Sequence, residues 1–336
     1  MREIQIGKNE ENQRLDKFLL KYFNEAPSSF IYKMLRKKNI TLNNKKATGK
    51  EKLELGDCVK LFLAEDTIDS FRKKETFQKH SRKLSVLYED EHITIINKPA
   101  GMLSQKAKPE DISLVEYYIT YLLETNQLTD TQLSTFRPSV CNRLDRNTSG
   151  IICCGKSLAG LQKLSALFKD RTLHKYYLAI VSGQVSIKEN IHGYLAKDEI
   201  HNKVTIYKNP GEGRQPIETT YEPVLVSGEY SLIKIQLITG KTHQIRAHLA
   251  STGHGIIGDS KYGQRQITDI HGKIRGVRRQ ILHAYEIVFP SMTQELSVLS
   301  NSIITAPLPD DFKETLHILG FKENDYESKL RRKTSK

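Results

Sequence analysis

The feature that most constrains the fold is a series of short segments in which apolar and polar residues alternate. Ile233, Ile235 and Leu237 form one such series, with Lys234 and Gln236 between them. Successive side chains of a strand point to opposite faces, so this spacing gives one apolar and one solvated face. Strands are expected over residues 84–88, 93–97, 175–181, 204–207, 218–226, 231–238 and 281–289. Helices are expected over 113–123, 156–169 and 242–251. One-sided strands favour antiparallel pairing, and helices then cover the apolar face. The expected class is α+β: a larger domain with a mixed, largely antiparallel sheet, preceded by a small module.

That small module spans residues 1–64. Leu15, Phe18, Leu19, Tyr22 and Phe23 recur at helical spacing. Pro27-Ser28-Ser29 breaks that helix and caps a second, which carries Phe30, Ile31, Met34 and Leu35 on one face. Lys33, Arg36, Lys37 and Lys38 occupy its other face and end, and Lys45, Lys46, Lys50 and Lys52 follow. Such lysines suit either a solvated face or a phosphate-contacting one. An Asn43-Asn44 turn and a Gly56-Asp57 turn flank short strands. The polar stretch 65–82 reads as a linker, 83–325 as the larger domain, and 326–336 as a basic tail.

Net charge narrows the partners. A formal +13 over 336 residues favours a polyanion: RNA, DNA or an anionic membrane surface. No run approaches the roughly 20 apolar residues that span a bilayer. Met1-Arg2-Glu3-Ile4-Gln5-Ile6 lacks the apolar core of a signal peptide. Cys58, Cys141, Cys153 and Cys154 form no C-x-x-C pair, which fits free thiols in a reducing compartment. A cytoplasmic protein without a membrane anchor follows, with a monomer as the default.

Chemistry concentrates in three stretches. In Asn142-Arg143-Leu144-Asp145-Arg146-Asn147-Thr148-Ser149-Gly150, one carboxylate lies between two guanidinium groups. The apolar Ile151-Ile152-Cys153-Cys154 follows and must enter the core, so Asp145 sits where the chain meets the core surface. Thr148-Ser149-Gly150 suits a tight turn that holds the loop rigid. A lone Asp among arginines is also what a surface ion pair looks like. The second stretch, His174-Lys175-Tyr176-Tyr177-Leu178-Ala179, is an aromatic-rich strand with Tyr176 and Tyr177 on opposite faces. The third runs Thr239-Gly240-Lys241-Thr242-His243-Gln244-Ile245-Arg246-Ala247-His248. Gly240-Lys241-Thr242 is no phosphate loop, because Ile235 stands where the first glycine is required. His243 and His248 are five apart and share no helical face, so no metal is expected.

Together these stretches resemble the motifs of the RluA/RluD-type RNA pseudouridine synthases. Arg143-Leu144-Asp145-Arg146-x-Thr148-Ser149-Gly150 is similar to the family's catalytic loop, with Asn142 in place of the usual His. Tyr177 holds the place of an active-site tyrosine. Thr239–His248 is similar to the third motif, with Lys241 for the commoner Arg. Gly258-Asp259-x-x-Tyr262-Gly263 continues the match, and Asn97-Lys98-Pro99-Ala100-Gly101 fits an upstream loop near the site entrance. Residues 13–64 resemble the alpha-L RNA-binding module, from Arg14-Leu15-Asp16 to Leu55-Gly56-Asp57, with Asn43-Asn44 for the usual Asn-Gly.

The resemblance implies isomerisation of uridine to pseudouridine in RNA without metal or other cofactor. It implies Asp145 as the catalytic carboxylate, Arg246 as its ion-pair partner and Tyr177 as the group stacking on uracil. Arg143 would fill the space of the everted base. Lys98, Arg14, Lys33, Arg36, Lys37 and Lys45 are the expected RNA contacts. Large-subunit ribosomal RNA is the favoured substrate and transfer RNA the alternative. Whether Asp145 attacks the sugar, adds to the base or removes a ribose proton stays open. Two rivals remain: a nonenzymatic RNA-binding or ribosome-assembly protein, and a glycosidic-bond hydrolase. The hydrolase would need a second carboxylate.

Overall fold

The computed structural model describes residues 1–72, 77–133 and 135–331. Two sheets organise it. The first belongs to the N-terminal part: β1 (Arg2–Gln5), β2 (Ile40–Leu42), β3 (Lys45–Lys46) and β4 (Cys58–Leu61), in the order β1-β4-β2-β3. Helices α1 (Leu15–Tyr22) and α2 (Ser28–Arg36) close over it. Their apolar stripes meet Ile40, Val59 and Leu61 in a core of their own. Asn43 and Asn44 both have positive φ (51° and 62°), as a two-residue hairpin turn demands. The first strand was not expected; its burial alternates weakly and its pairing partner lies 55 residues away.

The expected linker needs correction. Its first residues form helix α3 (Glu65–Ser70), whose Ile68 is buried in the N-terminal core, and Phe71 packs on Phe30 with ring centroids 4.4 Å apart. The first unit therefore extends to Phe71. Residues 73–76 of that stretch lie outside the described residues.

The second sheet holds β5 (Val86–Glu89), β6 (Ile93–Lys98), β7 (Ser139–Val140), β8 (Ser149–Gly155), β9 (His174–Ser182), β10 (Glu189–Asp198), β11 (Lys203–Tyr207), β12 (Gln215–Ser227) and β13 (Tyr230–Leu237). A separate hairpin, β14 (Gln266–Thr268) with β15 (Ile274–Gly276), precedes β16 (Leu282–Val288) and β17 (Ile303–Thr305). Among the described residues the order is β11-β10-β12-β13-β9-β16-β8-β6-β5, with β17 on β16 and β7 on β8. Only β8 and β16 pair in parallel there; the remaining ladders of this sheet are antiparallel. Each expected strand is present within a few residues of its expected ends. β10 was missed, because Glu189, Asn190, His192 and Lys197 dilute its apolar alternation.

Helices α4 (Leu114–Glu124), α5 (Asp130–Leu133), α6 (Leu158–Lys169) and α7 (Gln244–Ser251) flank the sheet. The Ser113 side chain caps α4 in a capping box with Glu116, which satisfies the first free N–H groups. Two more helices, α8 (Asp310–Ile318) and α9 (Glu323–Arg331), pack against Leu178, Ile180 and Leu232 of the sheet through Phe312, Leu316, Tyr326 and Leu330. The expected tail is thus corrected as well: residues 326–331 are helical and anchored, and 332–336 lie outside the described residues.

Candidate active site

The loop bearing Asp145 is fixed from several sides. Leu144 is buried in the main core, and its backbone N–H and C=O both pair with the Ser104 hydroxyl, at 3.0 and 2.8 Å. Asn142, the residue where a His was usual, accepts from Cys153 N (2.8 Å) and donates to Ile151 O (3.1 Å). It thereby stitches the loop entrance to β8. Thr148 N donates to Asp145 O at 3.0 Å and closes the turn. At Gly150 the φ is 114°, and an added Cβ would lie 2.2 Å from Ala284 O. Only glycine lets β8 approach β16 that closely.

Sheet register delivers the second group. Tyr177 lies opposite Ala284 of β16, and Ala284 lies opposite Gly150 of β8. The tyrosine and the loop end therefore occupy one row across three strands. Tyr177 is buried. Burial first, and the Asp145 charge second, push its pKa above the usual phenol range. Tyr176 faces the other way, under the Lys234 ammonium, 4.6 Å from its ring.

The third group comes from the start of α7. Arg246 is buried there and donates from Nη1 to Asp145 Oδ2 at 2.8 Å. Its other edge grips Asp259 in bidentate fashion, Nε to Oδ2 at 2.6 Å and Nη2 to Oδ1 at 2.9 Å. Burial opposes the guanidinium charge, yet Asp259 and then Asp145 raise its pKa above the ordinary value. Burial likewise works against Asp259, but Arg246 and the Lys261 and Tyr262 N–H groups hold it below the usual carboxylate range.

His243 completes the wall. It sits at φ 52°, ψ 14°, a left-handed conformation that costs a histidine of the order of 1 kcal/mol or more. Its Nε2 is 3.8 Å from Asp145 Oδ2 and its Nδ1 is 3.0 Å from the Tyr262 hydroxyl. That hydroxyl accepts from Val204 N at 2.7 Å, so its own hydrogen is available to Nδ1. This assigns the remaining ring proton to Nε2, facing the carboxylate. Burial lowers the His243 pKa, with Asp145 opposing. The Asp145 side chain keeps 26 % of its surface exposed, against 7 % for Arg246. The carboxylate is therefore backed by cationic and polar donors and open on one side to a ligand.

A model of the RNA pseudouridylate synthase family matches residues 92–251, which contain all three groups. An uncharacterised RNA pseudouridine synthase of Mycoplasma pneumoniae is 33% identical over 88% of this chain and 91% of its own length. The chain belongs to the RNA pseudouridine synthases. It is an RNA-modifying isomerase of that family. The ribosomal large subunit pseudouridine synthase C of Vibrio parahaemolyticus is 31% identical over 85% of the chain and 87% of that protein. The solved structure of human RNA pseudouridylate synthase domain containing 4 shares the fold, with TM-score 0.54 and 20% identity over 70% of this chain and 92% of that one.

Within this pseudouridine synthase the structure brings Asp145, Arg246 and Tyr177 together, and leaves Arg143 exposed beside them. Lys98 requires correction as an RNA contact. It has no exposed surface, and its Nζ donates to the carbonyls of Pro99 (2.8 Å), Met102 (2.9 Å) and Arg146 (3.2 Å). It braces the Asp145 loop from below, out of reach of a phosphate. Burial, then Arg279, lower its pKa to about 7, with Asp145 opposing. Lys33, Arg36, Lys37 and Lys45 are exposed. Arg14 is half-exposed, but its charge is engaged by Asp16 at 2.6 Å.

Sequence reasoning assigned no role to Asp259, His243, Tyr262 or Arg279. Arg279 clamps Asp311 of α8 at 2.5 and 2.6 Å and donates to Asn147 O at 3.2 Å, so the C-terminal helices steady the Asp145 loop. Among the described residues no three His, Cys, Asp or Glu side chains converge as a metal site, and no helix is long and apolar enough to cross a membrane.

Proposed function

We propose that this enzyme converts uridines of large-subunit ribosomal RNA to pseudouridine, with Asp145 as the catalytic carboxylate. The observation that carries this reading is the Asp145–Arg246–Asp259 arrangement, in which a partly open carboxylate accepts a hydrogen bond from a guanidinium that is itself locked in place. The substrate class rests on the family, and the ribosomal choice on relatives named as large-subunit enzymes in several Vibrio species and Salmonella typhimurium. Transfer RNA is the other outcome of the test.

The chain's own residues support the steps. A target uridine must leave its stack to reach Asp145, and the exposed Arg143 fills the gap it leaves. The cost of a few kcal/mol is offset by phosphate contacts. Tyr177 then stacks on the everted uracil. The glycosidic bond breaks, the base turns, and C5 joins the ribose; the proton lost from C5 is matched by one gained at N1, so the isomerisation needs no oxidant or reductant. The C5 proton must finally leave. A phenol held above its ordinary pKa enters neutral, so Tyr177 accepts that proton only by passing on its own, and Asp145 is the anion whose field it feels. Residues 1–71 act as the alpha-L RNA-binding unit, with Lys33, Arg36, Lys37 and Lys45 on phosphates. The protein works as a cytoplasmic monomer.

The test is incubation with transcripts of large-subunit ribosomal RNA and of transfer RNA carrying tritium at uridine C5. Pseudouridine formation with tritium release from the ribosomal transcript supports the reading. Release from transfer RNA alone moves the substrate; free uracil would mean a hydrolase; no product with retained binding would mean a nonenzymatic RNA-binding protein. Mapping pseudouridines in cells lacking the gene then identifies the site.

A further inference from the structure

The segment between Asp259 and Gln280 is the most basic feature the catalytic steps leave unused. Residues 260–279 carry six cationic side chains (Lys261, Arg265, Lys273, Arg275, Arg278 and Arg279) and a single acidic one, Asp269. They fold as the β14–β15 ribbon. Its register pairs Gln266 with Gly276, Ile267 with Arg275 and Thr268 with Ile274.

The ribbon is a built element. Asp269 accepts from the N–H groups of His271 (2.9 Å) and Lys273 (2.8 Å), and Gly272 at φ 76° completes the tip. Ile267 and Val277 pack against α8 as part of the core that holds Phe312 and Leu316. Gln266, Thr268, Ile274 and Gly276 face outward and are exposed.

Both ends of the ribbon are rooted in the active site. Its outgoing leg begins at Asp259 and Tyr262, which hold Arg246 and His243. Its returning leg ends at Arg279, which holds Asn147 of the Asp145 loop. At Gly258 (φ 81°) an added Cβ would lie 1.8 Å from Arg279 O, so the legs meet in backbone contact. Arg275 is spent on Asp269 at 3.0 Å and Arg279 on Asp311. Arg265, Lys273 and Arg278 are exposed and, among the described residues, have no ion-pair partner.

Three unpaired cations on so short an element repel one another, and the fold gains nothing from them. We infer that the ribbon is an RNA-gripping element of the catalytic domain, its Arg265, Lys273 and Arg278 holding phosphates of the strand that flanks the target uridine. The inference rests on the RNA-isomerising reading above. Because the ribbon is anchored on Asp259 and Arg279, RNA seated on it lies beside the open side of Asp145. The N-terminal unit then supplies distant affinity, and the ribbon supplies local registration.

The full-length protein with Arg265→Ala, Lys273→Ala and Arg278→Ala together tests this, against a control with Lys83→Ala, Lys169→Ala and Lys188→Ala. The control lysines are accessible and lie outside the ribbon. The probes are an unmodified large-subunit ribosomal RNA transcript and a single-stranded oligouridine. The ribbon variant should raise Kd and KM on the order of tenfold to a hundredfold, and lower the slope of log affinity against log salt by about 2. The control should lose much less. Unchanged Kd and salt slope in the ribbon variant, at an unchanged melting temperature, would overturn the inference. So would weakened binding to anionic lipid vesicles with RNA affinity intact. The binding arm needs no turnover. A wild-type protein that fails to form pseudouridine would refute the proposed reaction, while the Kd comparison still decides whether the ribbon holds RNA.

Discussion

Arg246 spends a single N–H on Asp145, at 2.8 Å, and its remaining edge on Asp259. The guanidinium cannot swing toward or away from the Asp145 carboxylate without breaking a buried bidentate pair. The placement of Arg246 against Asp145 is thus set by Asp259, a residue with no exposed surface. Removing that residue should show it. Asp259→Ala leaves a buried cation short of a partner and should destabilise the fold by on the order of 3 kcal/mol. It should also slow turnover by about a hundredfold through misplacement of Arg246. Asp259→Asn, which keeps one of the two acceptor oxygens, should recover part of both. Urea denaturation and single-turnover kinetics check the two effects separately.

Tyr177→Phe keeps the ring and removes the hydroxyl. Stacking survives, so RNA affinity should stay near wild type, while kcat falls by roughly a hundredfold or more. Equal rates for the two proteins in a tritium-release assay would remove the hydroxyl from the reaction.

These two residues also mark what the sequence reveals. Asp145, Tyr177 and Arg246 were singled out by the resemblance of their short motifs to those of the family, and folding brings the three together. The alternation of Ile233, Ile235 and Leu237 likewise gave the sheet. Asp259 was not legible as a partner, since Gly-Asp reads as an ordinary turn and its pairing spans 13 residues of chain. Lys98 misled, because its burial depends on three carbonyls that converge only after folding. Helix α3 hid inside a polar stretch because one isoleucine, Ile68, carries its burial. Asn142 braces the loop by bonding the backbone of β8 at two points, an arrangement that appears only once the loop is folded against that strand.

Gly150→Ala should be among the costliest single-methyl changes in the chain. The φ of 114° and the 2.2 Å approach to Ala284 O leave no room for Cβ. The β8–β16 pair must separate, at a cost on the order of 3 kcal/mol, and the Asp145 loop moves with it. Loss of activity beyond the unfolded fraction, read from thermal melts and turnover together, is the expected outcome.

Acid should destabilise the fold through buried histidines. His283 is held between Ser149 Oγ (2.9 Å) and Ala306 O (3.2 Å), and burial lowers its pKa to about 4. His248 is lowered to about 4 by the same cause. Below an unfolded value near 6.5 the unfolded chain binds the extra protons and the native state does not. Stability is therefore full above about pH 6.5 and falls as the pH drops toward 4, by on the order of 3 kcal/mol for His283. His283→Gln should flatten that slope in urea titrations at pH 4.5–7. An unchanged slope would show that this imidazole titrates alike in the native and unfolded states.

The central claim is that one carboxylate carries the reaction. Asp145→Asn keeps the side-chain shape and an acceptor for Arg246, so the protein should fold and bind ribosomal RNA with near-wild-type affinity. Its tritium release from C5-labelled uridine should fall to background. Turnover within a factor of a few of wild type would contradict the account.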